Sequence, residues 1–325
     1  MTKLITKMLL ALLLGAAALS SLAQGRKLTP VTMTLNWYPQ AEHGGYFTAL
    51  VEGIYEKHGL DVTLKPGGPQ VNIHQLLAAG QTDFIMGAQM RTLNARHQGV
   101  PIVTVAAWFQ KDPQTVMVHE GSGNDSIAAL KGKPFYLPGT ARSNYWPWMR
   151  LRFGLTDDQI KPYDPAYRAW GMDKQAASQG YLSADDYYFR KLGIAGKSML
   201  LSDFGWLAYG SLLDTTEKVI ADKPEVVQAF VRATRDGWQR FFANPGPAYA
   251  RIAQMNPEQE MVLMTGAYRV MRERGILDSE DTKGGKYGAM NDARWEGFFK
   301  DVVAAGVLPA TLEFRKAYTL QFVKD

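Results

Sequence analysis

The chain of 325 residues carries 36 lysines and arginines against 31 aspartates and glutamates, with 11% aromatic residues and no cysteine. The missing cysteine excludes disulfides, thiolate metal sites and a lipid-modified cysteine anchor, and so small a positive surplus does not point to a nucleic-acid partner. The length allows two domains with cores of their own, since a domain typically holds roughly 100–200 residues.

The N-terminus has Lys3 and Lys7, then an apolar run from Met8 to Leu19, then Ser21-Leu22-Ala23. This is the three-part pattern of a secretory signal peptide, and the run is too short to span a bilayer. Residues 1–23 are read as that signal, and loss of Lys3 and Lys7 on cleavage lowers the net charge from +5 to +3. The mature chain is expected as a free periplasmic monomer.

Strand and helix patterns then alternate. A strand at 31–35 leads through a polar loop to Phe47, Leu50, Val51, Ile54 and Tyr55 at helical spacing, closed by Gly59. Strands at 61–64, 83–86 and 102–107 are separated by helices at 71–79 and 92–98, each closed by a glycine, Gly80 or Gly99. Such alternation predicts an α/β class with mostly parallel sheets. A strand at 115–119 follows, and the first crossing between lobes is placed near 114–120. A second α/β unit runs through 134–137, a helix near Ala141 and the segment 172–192, and a strand at 198–203 returns the chain. Beyond Gly210 the pattern is mainly helical, with Pro224 in a first turn and Val226, Val227, Phe230 and Val231 forming an apolar stripe. Trp295, Phe298, Phe299, Val302 and Val303 form another. The expected lobes are 24–115 with 211–325, and 116–210.

Ligands of open α/β sheets bind at the carboxyl ends of the strands. The loop after the first strand holds Asn36, Trp37, His43 and the pair Gly44-Gly45: a flat ring, an amide that donates and accepts, and glycines that permit close approach. Gln89 and Trp108 follow later strands in the same way. The second lobe offers Gly139 to Trp148 as the counterpart. Trp146 and Trp148 diverge by about 200° on a helix, so Tyr145 or Trp146 is expected at the site and Trp148 in the core. Tyr181 and Asp185 complete the candidates, Asp185 either as an acceptor for an amino group or as a helix cap. The histidines His43, His58, His74, His97 and His119 lack metal-ligand spacing. Neither a nucleophile elbow nor a phosphate loop is present, and no cofactor is expected.

At Asn36-Trp-Tyr-Pro and His43-Gly-Gly-Tyr-Phe the chain resembles the thiamine-precursor family, which pairs bacterial periplasmic binding proteins for thiamine pyrimidines with a eukaryotic pyrimidine synthase. The likeness continues through Glu52 to Val62, Ala79 to Phe84, Leu130 to Lys133, Gln179 to Leu182 and Pro224 to Phe230. It implies the type II periplasmic-binding fold, two α/β lobes with a hinge, and a carrier serving an ABC permease and ATPase. The implied cargo is a small aromatic solute of the formylaminopyrimidine or hydroxymethylpyrimidine type. Segments shared with sulfonate and nitrate carriers leave a small-anion carrier using Arg142 as the alternative. The family's enzymes use a lysine that binds pyridoxal phosphate, a histidine four residues later and a cysteine-rich iron motif. Gly87 and Arg91 stand at the first two positions here, and without an amine no Schiff base forms. Where relatives that bind formylaminopyrimidine carry a glutamate, this chain has Asp185, one methylene shorter.

Overall fold

The structure, a computed structural model, describes residues 27–324, and the signal peptide expected over 1–23 lies outside them. Ten strands form two five-stranded sheets. The first four are β1 (Thr29–Thr34), β2 (Leu60–Lys65), β3 (Phe84–Gly87) and β4 (Ile102–Phe109), followed by β5 (Gln114–His119), β6 (Phe135–Leu137) and β7 (Ile160–Pro162). The last three are β8 (Ala177–Tyr181), β9 (Gly196–Leu200) and β10 (Gly210–Thr216).

The first sheet has the order β2-β1-β3-β10-β4 and the second β7-β6-β8-β5-β9. In each, four strands run one way and one is inserted antiparallel: β10 between β3 and β4, β5 between β8 and β9. The two α/β lobes with mostly parallel strands are therefore as expected, each sheet being mixed by its one antiparallel strand.

Burial explains the strand patterns. In β2, a sheet edge, buried and exposed residues alternate, whereas all eight residues of β4 are buried. The open edge of β4 is covered by bridges from Thr104 to Tyr318 and from Ala107 to Gly288, which protects a continuous apolar run from edge pairing.

Three expectations are corrected. Residues 114–119 form a strand inside the second sheet, and the first crossing lies at 110–113. The strand expected at 198–203 is β9, which still belongs to the second sheet; the second crossing occupies 201–209. The stretch after Gly210 begins with β10 and turns helical only at Glu217. Leu212, Leu213, Asp214 and Thr215 are buried on both faces of the sheet, so they show no alternation that would have marked a strand.

Helix Pro224–Ala243 clamps the end of the first site loop. It packs on helix Gly44–Val51 so closely that a Cβ on Gly45 would lie 2.4 Å from the Trp238 ring, and one on Gly237 would lie 2.2 Å from the Gly45 carbonyl oxygen. Glycine at both positions lets the backbones meet and fixes the loop that precedes the helix. The crossings are tied to each other where Trp206 donates its indole N–H to Asp112 at 2.9 Å.

Candidate functional site

A cleft of about 700 Å³ opens between the sheets and is lined from both. On the first lobe its floor is Asn36 and Trp37 after β1, Gly87, Ala88 and Arg91 after β3, and Ser211 on β10. On the second lobe the wall is chiefly tyrosine: Tyr145, Tyr163, Tyr167, Tyr181 and Tyr188. The lobes touch across it. Ser183 donates to the buried carboxylate of Glu42, the Asn94 amide donates to the Ser143 carbonyl at 3.1 Å, and Trp37 meets Tyr163 edge-on at 6.3 Å between ring centres.

Asn36 is held by a buried histidine. The backbone N–H of Gln40 donates to His43 Nδ1 at 3.3 Å, so the ring proton sits on Nε2 and is donated to Asn36 Oδ1 at 2.9 Å. Burial pushes the His43 pKa down to about 3, which keeps the ring neutral and this tautomer fixed. The Asn36 amide therefore turns its NH₂ end away from His43.

Arg91 lines the cleft from the first turn of helix Gln89–His97. Burial pulls its guanidinium down to about 10, against the attraction of Asp214, so it stays charged at neutral pH. Asp214 accepts from Thr92 and Thr104, each at 2.6 Å, and burial raises its carboxyl to about 6. A Cβ on Gly87 would lie 1.9 Å from Asp214 Oδ2. Any side chain at 87 would therefore have to displace this carboxylate.

Asp112 lines the cleft at the hinge. Burial raises its carboxyl to about 6, opposed by the bonds it accepts from Trp206 and from the Gln114 backbone. Burial also raises Glu42, opposed by Ser183. The two non-glycine residues with left-handed backbone among the described residues are Tyr167, φ 57°, and Ser211, φ 48°, and both line the cleft. Backbone strain is thus concentrated where the two lobes face each other.

Of the nine residues expected from the sequence, Asn36, Trp37, Tyr145 and Tyr181 line the cleft. His43 acts behind Asn36. Gln89 is buried beneath the floor, where its Oε1 accepts from the Tyr209 backbone at 2.9 Å. Trp108 is core: its indole N–H donates to the Tyr46 hydroxyl at 2.7 Å, and the rings meet edge-on. Trp146 turns away to pack on Phe135 and donate to Asp157 at 2.7 Å. Asp185 is fully engaged behind the wall, accepting from Thr115 at 2.7 Å, Ser198 at 2.6 Å and the Tyr181 backbone at 2.7 Å. It braces Tyr181 and does not reach the cleft itself. Arg142, the residue suggested for an anion, is exposed and outside the lining.

The sequence reading missed Arg91 as a lining cation, Ser211, and the pair Tyr163 and Tyr167. The tyrosines had a usable signal, since Tyr163 lies within the proline-rich loop Pro162-Tyr-Asp-Pro165 and Tyr167 follows it. Ser211 had none, because its backbone conformation is imposed by the sheet.

Two mixed sheets joined by two crossings around a lined cleft define the class of two-lobed periplasmic-binding folds. The chain belongs to the NMT1/THI5-like family, whose model matches residues 40–248. It is similar to the riboflavin-binding protein RibY of Chloroflexus aurantiacus, 24% identical over 305 residues, covering 91% of this chain and 86% of that one. The formylaminopyrimidine-binding protein of Halalkalibacterium halodurans is 24% identical over 304 residues, covering 90% and 91%. The 4-amino-5-hydroxymethyl-2-methylpyrimidine phosphate synthase THI11 of Saccharomyces cerevisiae is 32% identical over 249 residues, covering 70% and 72%. Among solved structures, the ligand-binding component of an ABC-type import system from Staphylococcus aureus superposes with a TM-score of 0.65 at 13% identity, covering 91% and 98%, a likeness of fold.

Proposed function

We propose that this protein is the periplasmic substrate-binding component of an ABC importer and that its cargo is a heteroaromatic vitamin precursor of the thiamine-pyrimidine type. The observation that carries this reading is the aromatic cleft between two hinged lobes, with Trp37 on one side and the tyrosine wall on the other. Stacking on such side chains contributes about 1–3 kcal/mol per nucleobase-like ring, and closure of both lobes adds contacts neither lobe makes alone. The closed form is the one a permease would select, so solute binding shifts a hinge equilibrium toward docking. The names of two relatives, binding proteins for formylaminopyrimidine and riboflavin, agree with a flat heterocycle.

The chain acts as a carrier and not as a synthase. Gly87 replaces the lysine that a pyridoxal enzyme of this family would use, Asp214 fills the space a side chain there would need, and the chain has no cysteine for an iron motif. These residues do not fit that cofactor chemistry. The leader at 1–23 supports export, and the carrier works as a monomer with its permease and ATPase.

Calorimetric titration of the mature protein with formylaminopyrimidine, hydroxymethylpyrimidine, riboflavin, thiamine and taurine tests the reading. At least one heterocycle is expected to bind, and Trp37→Ala is expected to weaken it by about 1–3 kcal/mol. Binding of taurine alone, or a Trp37→Ala protein with unchanged affinity, would contradict it.

A further inference from the structure

We infer that Arg91 is a solute-binding residue and that the solute presents a neutral carbonyl oxygen to it. The inference rests on the carrier reading and specifies the edge of the solute that the first lobe recognises.

Beside the carboxyl of Glu42, which Ser183 engages, the floor of the first lobe offers donors. Arg91 lines the cleft, and among the described residues it has no hydrogen-bond or ion-pair partner. Its compensating charge, Asp214, has both carboxylate oxygens engaged by Thr92 and Thr104. A guanidinium carries five N–H donors, and on this half-buried side chain at the cleft they are available to a solute. Two further donors share this floor. The Oδ1 of Asn36 is occupied by His43, which leaves its NH₂ group to act. Ser211 has a buried hydroxyl with no partner among the described residues and a left-handed backbone that places it on the cleft. A solute seated here must accept hydrogen bonds.

The walls decide between an anion and a neutral acceptor. Glu42 and Asp112 line the same cleft as buried carboxyl groups, whereas the other lining cations, Arg168 and Lys191, are exposed and paired with Asp164 and Glu260. A phosphate or sulfonate would bring negative charge toward the buried carboxyl groups in a weakly screened space, whereas a carbonyl oxygen takes the same donors without that repulsion. The formylamino substituent and the ring carbonyls of a flavin have the required acceptor. A hydroxymethylpyrimidine has no carbonyl.

Titration of wild type, Arg91→Met and Ser211→Gly with formylaminopyrimidine, riboflavin, 4-amino-5-hydroxymethyl-2-methylpyrimidine and its phosphate ester tests this. Arg91→Met is expected to weaken a carbonyl-bearing solute on the order of 10- to 100-fold, the range for a charge-assisted hydrogen bond, and to leave the carbonyl-free pyrimidine nearly unchanged. Ser211→Gly is expected to weaken the same solutes by less, with an unchanged or higher melting temperature because glycine relieves the left-handed strain. That variant separates lost binding from lost folding. Equal losses for all ligands in Arg91→Met, or none, overturn the inference. So does tightest binding of the phosphate ester with the largest loss in Arg91→Met, which would make the site an oxyanion site. If wild type binds none of the rings, the carrier reading itself fails.

Discussion

The two sides of the cleft are built from different chemistry. The floor from the first lobe is sparse and directional: one amide oriented by a buried histidine, one cation and one strained hydroxyl. The wall from the second lobe is broad and nearly non-directional, an array of tyrosines that meet edge-on, such as Tyr163 with Tyr167 at 5.7 Å. Aromatic walls supply contact area with little choice among rings, whereas unpaired donors discriminate strongly against a ligand that cannot satisfy them. Under the proposed carrier function, the contrast assigns affinity and identity to different lobes.

The sharpest way to break this division is to remove the brace of the wall. Asp185→Ala abandons three donors, Thr115, Ser198 and the Tyr181 backbone, in a buried site. It is expected to cost about 3 kcal/mol or more of stability in denaturant titrations, because each stranded buried donor costs about 1–3 kcal/mol. An effect within experimental error would show that Asp185 braces nothing.

A second test lies in pH. Asp112 and Asp214 hold their protons more tightly in the folded protein, with carboxyl groups raised from 3.8 to about 6 by burial. Their contribution to stability is complete below about pH 4 and is lost as the pH rises to about 6, up to roughly 3 kcal/mol per group. Asp112→Asn is expected to reduce the fall in melting temperature across that interval without abolishing it, since Asp214 remains. A pH profile identical to wild type would remove Asp112 from the account of the hinge.

Within the wall, Tyr163→Ala is expected to weaken every bound ring by about 1 kcal/mol with little change in their ranking. A change of ranking would mean that the wall also selects. The smallest effect is expected at the lip of the cleft, where Lys191 pairs with Glu260 at 2.8 Å with both side chains about half exposed. Glu260→Gln should alter solute affinity by no more than about 0.5 kcal/mol, the range for an exposed pair, and less at high salt.

The sequence revealed part of the floor and part of the wall. Asn36 and Trp37 were legible because they sit in a polar loop directly after a strand, the position where open sheets bind ligands. Tyr145 and Tyr181 were found by the same rule in the second lobe. Trp108 and Trp146 satisfied the rule too, but their indole N–H groups found partners in the interior, at Tyr46 and Asp157, and no local pattern distinguishes such a partner from a solute. Asp185 looked like a ligand acceptor or a helix cap because its donors come from strands 70 and 13 residues away, Thr115 and Ser198. Strand β10 escaped notice because it is buried on both faces, and with it went Ser211 and Asp214, the residues that give the floor its strain and its countercharge.

The position of a bound ring and the edge it turns toward the first lobe define the proposed binding mode. A crystal structure of the mature protein grown with formylaminopyrimidine measures both at once. The predicted result is a ring against Trp37 and the tyrosine wall, with its formyl oxygen within hydrogen-bond distance, roughly 2.7–3.2 Å, of the Arg91 guanidinium. A ring bound outside the cleft, or seated in it with an apolar edge toward Arg91, would contradict the account.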